Sequence, residues 1–435
     1  MKKLAAPLLI LFFIVLNLLS CDGLDENYSN NPNHRLSFSV DTLSFDTVFT
    51  TIGSATKEFM IYNRNDQPLL ISEIMLASGE ETGFRINVDG RKGDHFQDVR
   101  IQADDSLYVF VEVTVNPNAS NQPLLVDDSI IFTTNGVKQS VRLEAYGQNV
   151  NLYKNGLILT QDTHFTAERP YLIYDSLVIS PNITLNIDPG AIFYMHDTAK
   201  VITYGTLLAK GTREKSDCLP RRPSGFHTER HPALRPDTIT MGQGFLPSGK
   251  AYHNIMDNVI VRNGKTGLTF EKSSPDESKL KLSNSQITNM GEHLFSARNC
   301  KIEVTNTELT NAGGGVVVLI GGNYCFVHCT LANFMTLEKR TTPCLTMANN
   351  ANEEAYPLKA TFDNCIIDGS FDAGKEAYKG ELNLSVDGAA SFEYLFNHCV
   401  IKTNGSNNDH FKEILFTNTS PSYRLKGGEK KQIPF

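Results

Sequence analysis

Asn258-Val-Ile-Val-Arg-Asn263 is a short phrase that the chain repeats with variations. Asn284-Ser-Gln-Ile-Thr-Asn289, Asn306-Thr-Glu-Leu-Thr-Asn311, His328-Cys-Thr-Leu-Ala-Asn333, Asn364-Cys-Ile-Ile-Asp-Gly369 and His398-Cys-Val-Ile-Lys-Thr403 follow. Subtracting starting positions gives steps of 26, 22, 22, 36 and 34 residues. A period in the low twenties with insertions is the mark of a solenoid. The small residue or Val and the aliphatic two places on lie on one face of a short strand. Such a strand cannot bury that face alone, so copies must stack. None of the copies extends to the i, i+3, i+4, i+7 spacing of a helix.

Stacking one circuit per repeat puts Val261, Ile287, Leu309, Leu331, Ile367 and Ile401 in one internal column. The leading residues Asn258, Asn284, Asn306, His328, Asn364 and His398 then fall where the chain turns. Asn tolerates the left-handed backbone there, and stacked amides can form a ladder. The fold class expected is all-β: a right-handed parallel β-helix over residues 151–435. Short strands at Leu157–Leu159, Leu177–Ile179, Thr184–Ile187, Ile192–Tyr194 and Val201–Tyr204 form its first coils, with Pro189-Gly190 as a tight turn.

This part of the chain resembles the right-handed β-helix superfamily that includes pectate-lyase-like proteins. The whole chain is similar to a group of Bacteroidetes surface lipoproteins. The likeness is carried by Pro189-Gly-Ala-Ile-Phe193 and Gly205-Thr-Leu-Leu-Ala-Lys-Gly-Thr212. It implies a small immunoglobulin-like domain ahead of the β-helix and names no reaction.

Residues 36–148 carry short alternating runs at sandwich spacing: Leu36–Val40, Glu58–Tyr62, Leu69–Ile74, Phe84–Val88, Tyr108–Val115, Ser129–Thr133 and Val141–Ala145. They resemble immunoglobulin-like domains of the ASPM/SPD-2/hydin type, which act as spacers or protein-contact modules. The segment has no cysteine, so its stability must come from the core between two sheets.

Met1-Lys2-Lys3, an apolar run from Leu8 to Leu19 and Leu18-Leu-Ser-Cys21 read as a secretory signal over residues 1–20. The ending resembles a bacterial lipobox, which implies lipidation of Cys21 and a membrane partner. The run is too short to span a bilayer comfortably. Residues 21–35 have a tether composition, and the acidic Asp22-Gly-Leu-Asp-Glu26 resembles an export signal. Together these imply an outer-membrane protein exposed at the cell surface. Asp-Ser/Thr-apolar triplets at Asp41, Asp46, Asp105, Asp128, Asp175 and Asp197 resemble a glycosylation sequon; the plain alternative is a turn just before a strand.

Residues 216–248 break the pattern with Pro, Arg and His. A one-base shift after Lys215, with permissive codons, restores strand-like text (PIVYRGDRLD), so a frameshift is the reading adopted. The pattern is expected to return at Tyr252. The end of the chain is read as truncated or altered.

The chain has 435 residues and a net charge of −8, which gives a nucleic-acid role no electrostatic support. Its eight cysteines include no CxxC or zinc-like array, so no metal or cofactor is implied. Cys329, Cys365 and Cys399 fill one place in three copies and read as small buried thiols. A lyase would need a Lys or Arg base beside acidic groups. Arg262, Lys265, Lys301, Glu303, Glu308, Asp368 and Lys402 are the candidates, all read as outward or at turns. Gly313–Gly315 and Gly321-Gly322 lack a phosphate-loop lysine and read as tight corners. Three functions fit: binding of a glycan or surface partner, a polysaccharide lyase or hydrolase, and a structural or adhesive stalk. Exposed Tyr and Phe beside a shallow cleft would favour the first.

Overall fold

Alternation of apolar and polar side chains builds the described elements, and no α-helix occurs among them. The computed structural model describes residues 27–119, 121–196, 198–212, 250–336, 340–351, 353–373 and 380–418, and the backbone of 244–247. The chain divides into two units between Asn149 and Val150.

The first unit has two five-stranded sheets. One runs in the order Leu36–Phe38, Lys57–Asn63, Ser106–Val113, Phe84–Val88 and Arg91–Gly93. The other runs Thr42–Phe49, Val137–Gln148, Leu124–Thr134, Leu69–Leu76 and His95–Ile101. One apolar core joins them, with Phe59, Ile61, Val109 and Val111 from the first sheet and Ile71, Ile74, Ile130 and Phe132 from the second. Each such side chain contributes about 1.5–3 kcal/mol by leaving water. The strands Thr42–Phe49 and His95–Ile101 were not expected from sequence. Asp46 falls at a bulge, where Ala145 pairs with Phe45 and Tyr146 with Thr47. Asp128 lies inside a strand and is buried, accepting from Thr82 Oγ1 at 2.6 Å. Neither is a turn before a strand.

The second unit carries three long parallel sheets of nine, ten and seven strands. The chain visits them in turn, as in Phe295–Arg298, Lys301–Thr305 and Glu308–Ala312. This is consistent with a β-helix. In the third sheet Val261, Ile287, Leu309, Leu331, Ile367 and Ile401 pair in register as one column, all buried. In the second sheet the matching column ends in stacked rings: Phe326 to Phe362 and Phe362 to Phe396, each at 4.8 Å.

Asn258, Asn284, Asn306, His328, Asn364 and His398 have φ of 52°, 51°, 46°, 55°, 53° and 51°. Each turns the chain from the second sheet into the third, and Glu413 (φ 51°) does so once more. The amide ladder is partial: Asn306 Nδ2 donates to Asn284 Oδ1 at 2.7 Å, and Asn284 Nδ2 to Asp257 at 2.7 Å. Cys329, Cys365 and Cys399 are buried beside these turns.

The parallel pairing resumes at Gly244–Pro247, which joins Lys200–Thr203, earlier than the expected return at Tyr252. So 244–247 is part of the stack, although it falls in the stretch marked as aberrant. The rest of that stretch, the signal segment, Cys21 and the chain end after Asn418 lie outside the described residues. The long steps between copies come from segments 334–344 and 370–381, both between the third sheet and the first, with further residues between the first and the second.

Candidate functional site

Two places concentrate chemistry. The first is the outward face of the sheet Leu36–Phe38 to Arg91–Gly93. Strand alternation sends Phe59, Ile61, Val109, Val111, Ile86 and Val88 into the core. It therefore sends Glu58, Met60, Tyr62, Tyr108, Phe110, Glu112, Arg85 and Asn87 outward. Register places Glu58, Phe110, Asn87 and Lys92 in one row across four strands. Tyr108 is 46% exposed and stacks on Phe110, with centroids 6.0 Å apart and planes at 20°. Met60 lies opposite Tyr108, Tyr62 donates its hydroxyl to Met60 Sδ, and Arg64 sits 4.8 Å over the Tyr62 ring.

Beside this aromatic strip runs a half-open groove of about 430 Å³. Its polar lining includes Thr56, Arg85, Asn87, Lys92 and Glu112, and Phe110 is its aromatic wall. Thr56 donates to Glu112 at 2.7 Å and Arg85 donates to Thr114 at 2.8 Å, which holds these groups in place. Ligand clefts span roughly 300–1,000 Å³, with mostly apolar walls and a few placed polar groups.

The second place is at the ends of Thr330–Asn333, Ile366–Gly369 and Val400–Lys402, where they meet the described residues 340–344, 370–373 and 380–381. Arg340 and Glu381 form an ion pair at 2.7 Å, with side chains 2% and 0% exposed. Arg340 also donates to Asn333 O and Ser370 Oγ, and lies 4.3 Å over the Phe371 ring. Glu381 accepts from the Cys344 and Phe371 backbone amides at 2.9 and 2.7 Å. Lys402 is buried and donates to Gly369 O at 2.7 Å. Asp368 is buried and accepts from Gly369 N at 2.7 Å. Burial pushes the Asp368 carboxyl up, with Glu381 adding and Lys402 and the Gly369 amide opposing.

This corrects the outward reading of Asp368 and Lys402. Alternation with Ile367 and Ile401 does turn them away from the internal column. Residues from the adjoining connection then lie beside that face: the Glu381 amide donates to Lys402 O at 2.7 Å and Asp372 stands 3.9 Å from the Lys402 ammonium, and both Asp368 and Lys402 are buried. The remaining candidates are not gathered with them. Lys265 pairs with Glu292 at 3.5 Å and Glu303 with Lys281 at 3.4 Å, all exposed. Arg262 and Glu308 stand on the third sheet, and Lys301 on the second.

Sequence reasoning also missed Lys279. In Ser278-Lys-Leu-Lys-Leu-Ser283 alternation assigns both lysines to solvent. A register shift between Ser278 and Leu280 instead turns Lys279 inward, fully buried. Its Nζ lies 5.2 Å from the Tyr252 ring. Burial lowers its pKa to about 8, against the pull of Cys300 and Glu271. Cys300 is itself buried, its thiol pushed up, and bonds the Glu271 and Arg298 carbonyls. Among the described residues, no group of three or more His, Cys, Asp or Glu could hold a metal ion.

No family model matches this sequence, and neither does any curated protein. Solved structures with partial similarity include a family 123 glycoside hydrolase from Clostridium perfringens, at 9% identity, over 27% of this chain and 30% of that one, with a TM-score of 0.20. The periplasmic chaperone SfaE is 11% identical over 26% of this chain and 58% of its own, with a TM-score of 0.19. The PapD-like domain 7 of human CEP192 is 10% identical over 30% of this chain and 94% of its own, with a TM-score of 0.19. This chain thus spans less than two thirds of the first two. At these scores none of the three bears on function.

Proposed function

We propose that this is a cell-envelope protein, lipid-anchored through Cys21 at the outer membrane and displayed at the cell surface, that binds a glycan or a surface partner, with no demonstrable catalysis. Its architecture in this reading is an immunoglobulin-like β-sandwich followed by a right-handed parallel β-helix. The observation that carries the reading is the open groove walled by Phe110 and extended by the exposed Tyr108. The lyase reading draws no comparable support. Asp368 and Lys402 are enclosed, and a base must reach the proton that it abstracts. A stalk without a ligand would have no use for a strip of Tyr62, Tyr108 and Phe110 on a solvated sheet face.

The test uses the chain from Asp22 onward, produced without the anchor cysteine. Retention on immobilised envelope polysaccharides or on intact cells is the expected result. Release of unsaturated uronate or of reducing ends would instead favour an enzyme. No retention on any glycan or cell surface would overturn the binding reading.

A further inference from the structure

We infer that the groove on the first unit, walled by Phe110 with the exposed Tyr108 ring next to it, binds a neutral, hydroxyl-rich polysaccharide. This rests on the binding reading above and narrows it to one face and one ligand class.

A pyranose ring presents two kinds of surface: faces of C–H groups and a rim of hydroxyls. The C–H groups carry partial positive charge and suit the electron-rich face of an aromatic ring. Tyr108 and Phe110 are two residues apart on one strand, so their side chains leave the same sheet face in sequence. The two rings stack, with planes 20° apart, and Tyr108, about half exposed, leaves ring surface open to a sugar face. The hydroxyl rim needs donors and acceptors close by. Arg85 and Lys92 donate, Glu112 accepts, and Thr56 can do both. The bonds of Thr56 to Glu112 and of Arg85 to Thr114 fix two of these groups before a ligand arrives. Preorganisation of this kind lowers the ordering cost of binding.

Charge selects the class. Arg85 and Lys92 line the groove against Glu80, Asp94 and Glu112. The whole chain carries −8. A polyuronate therefore meets no net attraction at the groove and repulsion from the protein as a whole. A neutral chain pays neither penalty. A protein partner would need roughly 800 Å² on this side, whereas a groove of about 430 Å³ suits a narrow, linear ligand.

The experiment measures binding of the chain from Asp22 onward to neutral glucans, xylans, mannans and galactans, with polyuronates alongside, by affinity electrophoresis and calorimetry. Binding of a neutral polymer that changes little with salt is expected. Tyr108→Ala and Phe110→Leu should each weaken it by about tenfold. Tyr146→Ala, an equally exposed tyrosine on the other sheet (44%), should leave it unchanged. Tyr108→Ala removes a ring that is about half exposed and outside the core, so its thermal transition should stay close to the parent's, which separates lost binding from lost folding. If neutral polymers bind but both groove variants keep affinity within twofold, the site is wrong and the binding reading stands. If only polyuronates bind, in a salt-sensitive way, the ligand class is wrong. If nothing binds and cells are not retained, the binding reading falls and takes this inference with it.

Discussion

Arg340→Met removes the cation from a pair whose side chains are 2% and 0% exposed. Glu381 then keeps only the Cys344 and Phe371 amides as the donors described above. Taking one partner from a buried ion pair costs about 3–5 kcal/mol, because the other charge is left without compensation. The bonds from Arg340 to Asn333 O and Ser370 Oγ go as well. The loss is local, so it should open the cluster around Arg340 and Glu381 before the rest of the stack. Cys344 reports on that opening. It is fully buried, and its own amide donates to Glu381. Native-state labelling of its thiol follows the population of the open form when reclosing is fast. At tenfold per 1.4 kcal/mol, the variant should label Cys344 roughly a hundred to several thousand times faster. Cys329 and Cys399, in the interior beside other turns, should respond far less. Adding Glu381→Gln removes the orphaned charge and keeps an acceptor, so the double variant should recover part of the loss. The reasoning is refuted if Cys344 labelling rises less than fivefold, or if the three thiols accelerate equally.

Lys279→Met should stabilise the protein at neutral pH by roughly 3 kcal/mol, at 1.36 kcal/mol per pKa unit. The folded value of about 8 lies below the ordinary 10.5, so the unfolded chain holds more protons between them and wild-type stability rises with pH across that window. The gap between variant and parent, followed by urea unfolding, should therefore be full below pH 8 and close by about pH 10.5; a gap independent of pH would contradict it. Asn306→Val forces a β-branched residue to φ 46° and should cost about 1–2 kcal/mol, whereas Asn306→Gly should cost less, both read from thermal transitions. Gly267→Ala should also destabilise, since its Cβ would stand 2.0 Å from the Leu294 carbonyl oxygen of the next circuit; an unchanged transition would show that the circuits can move apart there. Cys21→Ala should move the protein out of the membrane fraction of its native cells, and an unchanged distribution would remove the lipid anchor.

The stacked column was legible in the sequence because each copy carries its own alternation and its own turn residue. Asn and the two His replacements share one backbone need, so His328 and His398 could be placed beside the Asn positions from their spacing alone. Lys279 was not legible, because a local register shift turns it inward while Leu280, Lys281 and Leu282 keep the sides that alternation assigns. Asp368 and Lys402 were assigned to the correct side of the strand, but packing from another part of the chain buried them. Arg340 and Glu381 sit outside the repeated phrase, with no periodic signal to mark them. The groove was invisible for a further reason. Phe110, Asn87 and Lys92 become neighbours only through the order of strands in the sheet, and short alternating runs do not state their partners.

Register has a consequence for what the second unit displays. Ile255, Lys281, Glu303, Cys325, Thr361 and Leu395 follow one another across adjacent strands of the second sheet. Parallel neighbours are spaced by about 4.8 Å, so this outer column is a ruler with one graduation per circuit. The spacing is set by backbone hydrogen bonds and not by the side chains. Extra residues in a connection, as in 334–344, add length at a corner and leave the graduations where they were. Substitutions along the column can therefore rewrite its marks one at a time while their intervals stay constant.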